Sequence, residues 1–586
     1  MTLYYAEMML LVLGVQVKKQ QKDAASSCHL AEATKQMASS ADSSPICSKR
    51  RKLASNTDSP STVLNTTDSS YHIDDDCSLP NSGSTATSAS GSQQPALHLE
   101  PKYIVFKSCL IKLFEICPRC NSPCNVGSVT RGSFIQLKQD CVNERCQFSS
   151  SWESQPMVSN LAAGNILMSA SILFSGASYT KTLRIFETMG ISSISESTFK
   201  RHAREYLQPT IYKVWHDEQE ELLRILEAMP GELVVGGDGR ADSPGHSAKY
   251  GSYTAMELRI NKILDLQLVQ SNEVGGSYHM EQAGLERFIK FLETKNLAIG
   301  VLVTDRHLSI QKWVRENMPQ TVHYFDVWHV AKGVGKKIDG IAKLKDCGVV
   351  GEWRRSISNH MYWCAGSSSG QSGEMVAAKW LSLLRHIQGI HQGHSDLFPA
   401  CTHPDLDHKR KWLKPNTKSF DKLSSILSNK RLVADIKKLS PYHQTSSVEA
   451  FHSLLIRFAP KSVAFSYTGM LARMMLAGMH YNENSERQQA HSLQGKPVYA
   501  LRFSKYKKGG HCVVPVKTSA TYSYVSRLMD YLLTCTLIDP SDAWQLWHQV
   551  EVPPPLCSTF DRPQMYDAIA AHSSRFVAAM QSVDEE

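Results

Sequence analysis

Between Gly231 and Val327 the spacing of apolar residues changes period several times, and each change marks an element. "GELVVGG" is an apolar run of strand length bounded by glycines, and "YGSYTAMEL" is a second strand candidate. In "KILDLQLVQ", Leu264, Leu266 and Leu268 alternate with Asp265 and Gln267, the period of two that a strand needs. "YHMEQAGLERFIKFLETK" then shifts to helical spacing, with Leu285, Phe288, Ile289 and Leu292 on one stripe. "AIGVLVTD" predicts a buried strand, "LSIQKWVREN" a helix and "TVHYFDV" a last strand. The order is three strands, helix, strand, helix, strand. Neighbouring strands pair antiparallel through short turns, whereas strands joined by helices run parallel.

A mixed five-stranded sheet in that order is the ribonuclease H-like layout, so the expected class is α/β. Residues 231–334 form its first part. Residues 335–440 read as a helical insertion. The core resumes over 441–490 with "QTSSVEAFHSLLIRF", where Val448, Phe451 and Leu455 make an apolar stripe and Thr445 or Ser446 supplies a cap. Upstream, helical periodicity spans about Met157 to Met229 within a helical region, 156–230, and a cysteine-rich module occupies 101–155. Downstream lie a basic strand and helix region, 491–555, and a tail, 556–586. Residues 1–100 are expected to be disordered, because "SGSTATSASGSQQP" and similar stretches cannot bury enough apolar surface to offset the entropy of ordering. The apolar run Met8–Val17 is too short to span a bilayer, lacks the flanks of a signal peptide, and reads as a helix.

The chain has 586 residues, 20% charged and 42% apolar, with a formal charge of +9. That mild excess permits nucleic-acid binding without demanding it. Fifteen irregularly spaced cysteines with one tight cluster fit a reducing compartment and a metal site rather than a disulfide scaffold. "SKRRKL" (Ser48 to Leu53) suits a nuclear import signal as well as a solvated patch.

The first and fourth strands end in aspartates, Asp238 and Asp305, and in this layout those strands are neighbours. Glu449 lies near the start of the resumed helix. Three acids converging there would repel one another unless cations were bound. Mg²⁺ (or Mn²⁺) prefers such oxygen ligands, and a pair of ions suits in-line phosphoryl displacement. Taken singly, each aspartate is as well explained as a turn residue or helix cap. Asp242 is the rival to Asp238, but it sits in a "D-S-P-G" turn and is assigned to the loop or to substrate.

The blocks "GGDGRADSPGHSAKYGSYTAM", "VLVTDRHLSIQKWV", "HYFDVWHVAKGVGKKI" and "QTSSVEAFHSLLIRFAPKSVAFSYTGMLARMMLAGMHYNEN" resemble, in order, those of Kolobok-type eukaryotic cut-and-paste DDE transposases, near the Mutator-like and hAT groups. The resemblance covers about residues 105–540. It implies a catalytic triad of Asp238, Asp305 and Glu449, DNA as partner, a homo-oligomer, no membrane association and a nuclear location. In that group the second Asp is followed by Cys or Asp, two residues, then His; here "D-V-W-H" gives Asp326 and His329 a supporting role. The group also carries a large helical insertion before the Glu, and the gap from Asp305 to Glu449 is long enough to hold one. Members often begin with a THAP-type zinc finger, and residues 1–100 contain no such pattern; recognition of transposon ends is then either lost or done elsewhere. The implied activity is DNA cleavage and strand transfer. The rivals are a domesticated, inactive DNA- or chromatin-binding protein and a metal-dependent nuclease without strand transfer.

"CPRCNSPC" and "CVNERC" place Cys117 and Cys120 at C-x2-C spacing and add Cys141 and Cys146 after a 20-residue gap. Two short-range pairs can surround Zn²⁺ tetrahedrally in a closed structural site, with Cys124 as a substitute ligand. "YTKTLRIFETMGISSISESTFKRHAREYL" has a helix-turn-helix pattern with Lys200, Arg201 and Arg204 on its second helix, equally consistent with a plain helical hairpin. Lys332, Lys336, Lys337, Lys409, Arg410, Lys411, Lys505, Lys507 and Lys508 are further candidates to neutralise phosphates. "HQGHSDLFPACTHPDLDHKRKW" invites a second metal reading through His391, Cys401 and His403, but its spacing matches no established pattern and no site is assigned there.

Overall fold

The computed structural model describes residues 96–244, 248–404, 411–503, 510–558 and 560–572. The N-terminal apolar run, the basic cluster at 48–53, and Lys409, Arg410, Lys505, Lys507 and Lys508 lie outside them.

A small antiparallel sheet of β1 (Cys124–Arg131), β2 (Phe134–Cys141) and β3 (Ser149–Glu153) carries the cysteine module. The helical region does not begin at Met157 as its periodicity predicts. A two-strand hairpin, β4 (Met157–Val158) and β5 (Leu161–Ala162), comes first. Its turn residues Ser159 and Asn160 take left-handed φ values of 45° and 66°, which a helix cannot absorb. Four helices then follow: α1 (Ala163–Phe174), α2 (Tyr179–Thr188), α3 (Glu196–His202) and α4 (Gln208–Glu227).

The central sheet has five strands: β6 (Leu233–Ala241), β7 (Tyr250–Glu257), β8 (Lys262–Gln270), β9 (Ile299–Thr304) and β10 (Val322–Phe325). Their spatial order is β10-β9-β6-β7-β8. β6, β7 and β8 pair antiparallel, and β9 runs parallel to both β6 and β10. The mixed five-stranded sheet read from the pattern is therefore present. β8 is buried along most of its length despite its polar alternation. Asp265 is buried in it, held by the Gln219 side chain at 3.1 Å and Gln267 at 2.6 Å. Alternation of polarity there reflects a satisfied buried acid, not a solvent face.

α5 (Met280–Thr294) covers one face, burying Leu285, Phe288 and Leu292 against Val235, Tyr253 and Leu264. The other face packs on α4, on α12 (Ser446–Phe458) and on α13 (Tyr467–Asn484), whose methionine-rich stretch from Met470 to Met479 is buried. α6 (Leu308–Asn317) joins β9 to β10. After β10 the chain leaves the sheet through α7 (Val327–Ala342), α8 (Gly348–Gly366), α9 (Gly373–His386), α10 (Lys418–Leu427) and α11 (Lys430–Ile436). These helices have their own core around Trp353, Ile357, Trp380 and Leu423. The chain re-enters beside β10, where Phe325 donates to Lys438 O at 2.7 Å and accepts from Ser440 at 3.0 Å. That return places α12 next to the sheet end it left. A hairpin of β11 (Tyr499–Phe503) and β12 (His511–Pro515) follows, then α14 (Ser523–Tyr531). Among the described residues no helix is long and apolar enough to cross a membrane.

Candidate active site and metal centres

Asp238 does not end its strand; β6 continues to Ala241. What ends is the parallel partner. β9 stops at Thr304, and the register Gly236↔Val303 carries two residues on to Asp238 beside Asp305. Beyond that point β6 is hydrogen-bonded on one side alone, to β7, through Asp238↔Thr254 and the pairs that follow. The two aspartates thus flank each other where the sheet opens.

Glycines on either side of Asp238 admit neighbours that a side chain would exclude. A Cβ on Gly237 would lie 1.9 Å from the Tyr253 hydroxyl, and one on Gly239 would lie 2.4 Å from Cγ of Glu281. Glu281, in the first turn of α5, is a fourth acid at the site, and the sequence reading missed it. Its only signal was a polar position in an amphipathic helix. Burial pushes its carboxyl well above the usual range, and Asp305 and Asp238 add to the effect. Burial likewise raises Asp305, with Asp238 adding and His329 opposing. Glu449 is raised by burial, pulled back by His329 and raised again by Asp238. The Tyr253 hydroxyl is buried without a hydrogen-bond partner, and burial with the neighbouring acids raises it strongly.

Two histidines bind the acids together. His452, one helical turn after Glu449, places Nδ1 3.3 Å from Asp238 Oδ2 and Nε2 3.0 Å from Thr254 Oγ1. His329, in the first turn of α7, has Nδ1 3.1 Å from Asp326 Oδ2 and Nε2 3.7 Å from Glu449 Oε1. Burial alone would lower His329, but the Asp326 contact and the surrounding carboxylates outweigh it and hold the imidazolium to higher pH. Asp326 is 2% exposed and also accepts from the backbone N–H of Thr445 at 3.4 Å. It anchors the start of α12 from the far side of the insertion. Thr445 is the N-cap residue, as expected, yet its side chain caps nothing.

Asp238, Asp305, Glu449, Asp326 and His329 are therefore brought to one locality. Asp242 is not part of it: its carboxylate accepts from the Lys249 N–H at 3.1 Å and its carbonyl from Ser462 at 3.0 Å. It secures the loop. Of the three basic residues after the helical turn, Lys200 is paired with Glu196 at 2.7 Å and Arg204 with Glu205 at 3.0 Å, while Arg201 is exposed. Lys336 and Lys337 are exposed on α7. Lys332, on the same helix, sits 4.0 Å from the Trp328 ring centroid and draws on Glu449 electrostatically.

The cysteine module is a separate centre. The backbone of Cys117 to Cys124 folds into a knuckle in which Cys117 donates to Ser122 O at 2.8 Å and Asn121, with φ 57°, donates to Cys117 O at 2.9 Å. A second turn has Cys146 donating to Asn143 O at 2.9 Å. Sulfurs of Cys117 and Cys146 stand 3.8 Å apart and those of Cys120 and Cys141 3.4 Å. All four lie within 4.8 Å of one another, and all are free thiols. The Ser122 hydroxyl and N–H hold Cys120 down to about 6, while burial pushes Cys141 up to about 12. The four-cysteine cluster is consistent with a zinc site. Cys124 is not among the four.

Among the described residues, one other group brings ligating atoms this close: His386, His391, Cys401 and His403. The acids are not among these groups. No family model matches the chain, and no curated protein matches it.

Proposed function

We propose that the protein is a DDE-type DNA transposase or a protein derived from one, with a ribonuclease H-like core that cleaves DNA and joins the freed 3′ end to a target. The observation that carries this reading is the meeting of Asp238, Asp305 and Glu449, from three distant stretches, at the open end of a mixed sheet. Asp238, Asp305 and Glu449 would hold Mg²⁺ or Mn²⁺, and a pair of such ions supplies activation of the attacking oxygen and stabilisation of the leaving one. Glu281 would fix the position of the aspartates from the opposite face of the sheet. His329, kept charged by Asp326, orients Glu449 and offers a cationic donor to a phosphate oxygen. His329, Lys332 and Lys336 follow one another at helical spacing on α7, a track that suits a phosphodiester backbone. A cavity of about 630 Å³ lined by Met318, His323 and Lys437 contains none of the acids.

The resemblance to Kolobok-type transposases supports a nuclear location and action as a homo-oligomer. The test is nicking of supercoiled plasmid by the full chain in Mg²⁺ or Mn²⁺, with Glu449→Gln as comparison. Cleavage should fall about 10²–10³-fold in the variant, the range for removing one group that stabilises developing charge. A second reading has its own support: His452 and His329 already pair with Asp238 and Glu449. A domesticated DNA- or chromatin-binding protein would bind DNA and show equal, negligible cleavage in both forms. Cleaved ends that never become joined to target would mark a nuclease without strand transfer.

A further inference from the structure

Between the end of α9 and the start of α10, the described residues 387–404 and 411–417 have little regular structure of their own. Connections of that length inside a compact unit need something to fix them. Here the chain folds into a short hairpin: Gln392 bridges Ala400, Cys401 donates to His391 O at 2.9 Å, and His394 donates to Pro399 O at 3.0 Å. The hairpin sets His391 and Cys401 side by side. His403 follows two residues later, and His386 ends the helix against which the hairpin lies.

Their side chains converge. His403 Nε2 is 3.3 Å and Cys401 Sγ 3.5 Å from His386 Nδ1. The ring centroids of His391 and His403 stand 4.9 Å apart, and those of His386 and His391 5.0 Å. All four ligating atoms fall within 4.8 Å of one another. Nδ1 of His391 is buried with no hydrogen-bond partner, the state of a donor atom that awaits an acceptor of another kind. His394 Nε2 also touches the Cys401 sulfur, at 3.2 Å, from outside the four. Trp412 backs the cluster, 5.8 Å from the His386 ring and 5.5 Å from that of His391. The ligand that sequence spacing could not supply is His386, because a helix and a tertiary contact bring it in.

We propose that His386, His391, Cys401 and His403 form a second zinc site, independent of the acid cluster and of the four-cysteine module. Three imidazoles and one thiolate satisfy the borderline-soft, four-coordinate preference of Zn²⁺, and a site with four protein ligands has no open position for catalysis. Its role is structural: it staples the long connection onto the end of α9 and the Trp353–Trp412 part of the insertion core.

The test counts metal in the full chain by native mass spectrometry and elemental analysis. Two zinc ions per chain are expected in the wild type. Cys401→Ser/His403→Ala should retain one, and so should Cys117→Ser/Cys120→Ser. X-ray absorption should find a three-nitrogen, one-sulfur shell in the latter variant and a four-sulfur shell in the former. A wild type with a single zinc in a four-sulfur shell, a Cys117→Ser/Cys120→Ser variant with none, or a Cys401→Ser/His403→Ala variant that keeps two would overturn the site. The cysteine-module variant leaves the insertion untouched, so the count remains decisive even if the insertion variant fails to fold.

Discussion

The cysteine module and the acid site solve the same problem, gathering like ligands, in opposite ways. The module draws its four sulfurs from residues 117–146, through two tight turns joined by one β-pairing. They already lie within 4.8 Å of one another. The acid site draws on residues 238 to 449 across a whole insertion, and its carboxylates Asp238 and Glu449 each have a histidine partner. A closed ligand set holds a metal for stability, whereas an open, ion-paired set can admit metal and substrate together.

The largest break in that contrast comes from the module. Cys117→Ser removes a fully buried ligand and should release zinc and unfold β1–β3, since structural zinc supplies about 10–16 kcal/mol to small zinc domains. Zinc content and protection from limited proteolysis across residues 117–153 check this. Unchanged values in both would remove the module from the comparison. The acid site should be untouched by this substitution.

How much could be read from sequence follows from the same contrast. Cys117, Cys120, Cys141 and Cys146 were legible because local turns fix them. The strands of the central sheet were legible because apolar runs of strand length such as Val301–Val303 are bounded by other residue types. Asp238 and Asp305 were legible as partners, but the strand end was not: β6 runs on to Ala241 because β7 still pairs with it after β9 stops. Glu281 and His452 were invisible as site residues, since each occupies an ordinary polar position of an amphipathic helix and its meaning comes from packing. His386 failed for the same reason.

A medium effect should come from Gly239→Ala. The new Cβ would meet Cβ and Cγ of Glu281 at 3.0 and 2.4 Å, near the base of a side chain on a packed helix. Overpacking of this kind costs about 1–3 kcal/mol. Calorimetry should show that loss together with weaker Mn²⁺ binding. A wild-type melting temperature would mean that Glu281 is not held against the strand.

Acid sensitivity separates the buried neutral histidines from the charged His329. Burial lowers His202, His323, His360 and His480 to about 4. Their folded values lie below the unfolded value, so the unfolded chain binds more protons, and stability is full above about pH 6.5 and falls as pH drops toward 4. Each contributes on the order of 1–3 kcal/mol across that window. His329 has the opposite sign. Its raised value gives stability that is present below the unfolded value and lost as pH rises through the folded one. Urea titrations from pH 8 to pH 4.5 should show a net loss that His480→Gln reduces, because His480 Nδ1 is buried without a partner.

The smallest effect is also the one that best distinguishes an open site from a closed one. In Glu281→Gln the amide keeps the shape of the side chain and removes a carboxylate that burial, Asp305 and Asp238 all disfavour in its charged form. Because its folded value is raised, wild-type Glu281 costs stability as pH rises through the unfolded value near 4.5 toward the folded one. Metal-free Glu281→Gln should therefore be more stable than wild type at neutral pH, by on the order of 1 kcal/mol, and the difference should vanish in acid. Saturating Mg²⁺ should stabilise the wild type more than the variant and close or reverse the gap. For the cysteine module the same logic inverts: loss of any one ligand destabilises at every pH at which zinc is bound. A Glu281→Gln chain less stable than wild type without metal would mean that the carboxylate is satisfied by protein alone, and the acid site would then be a closed structural cluster.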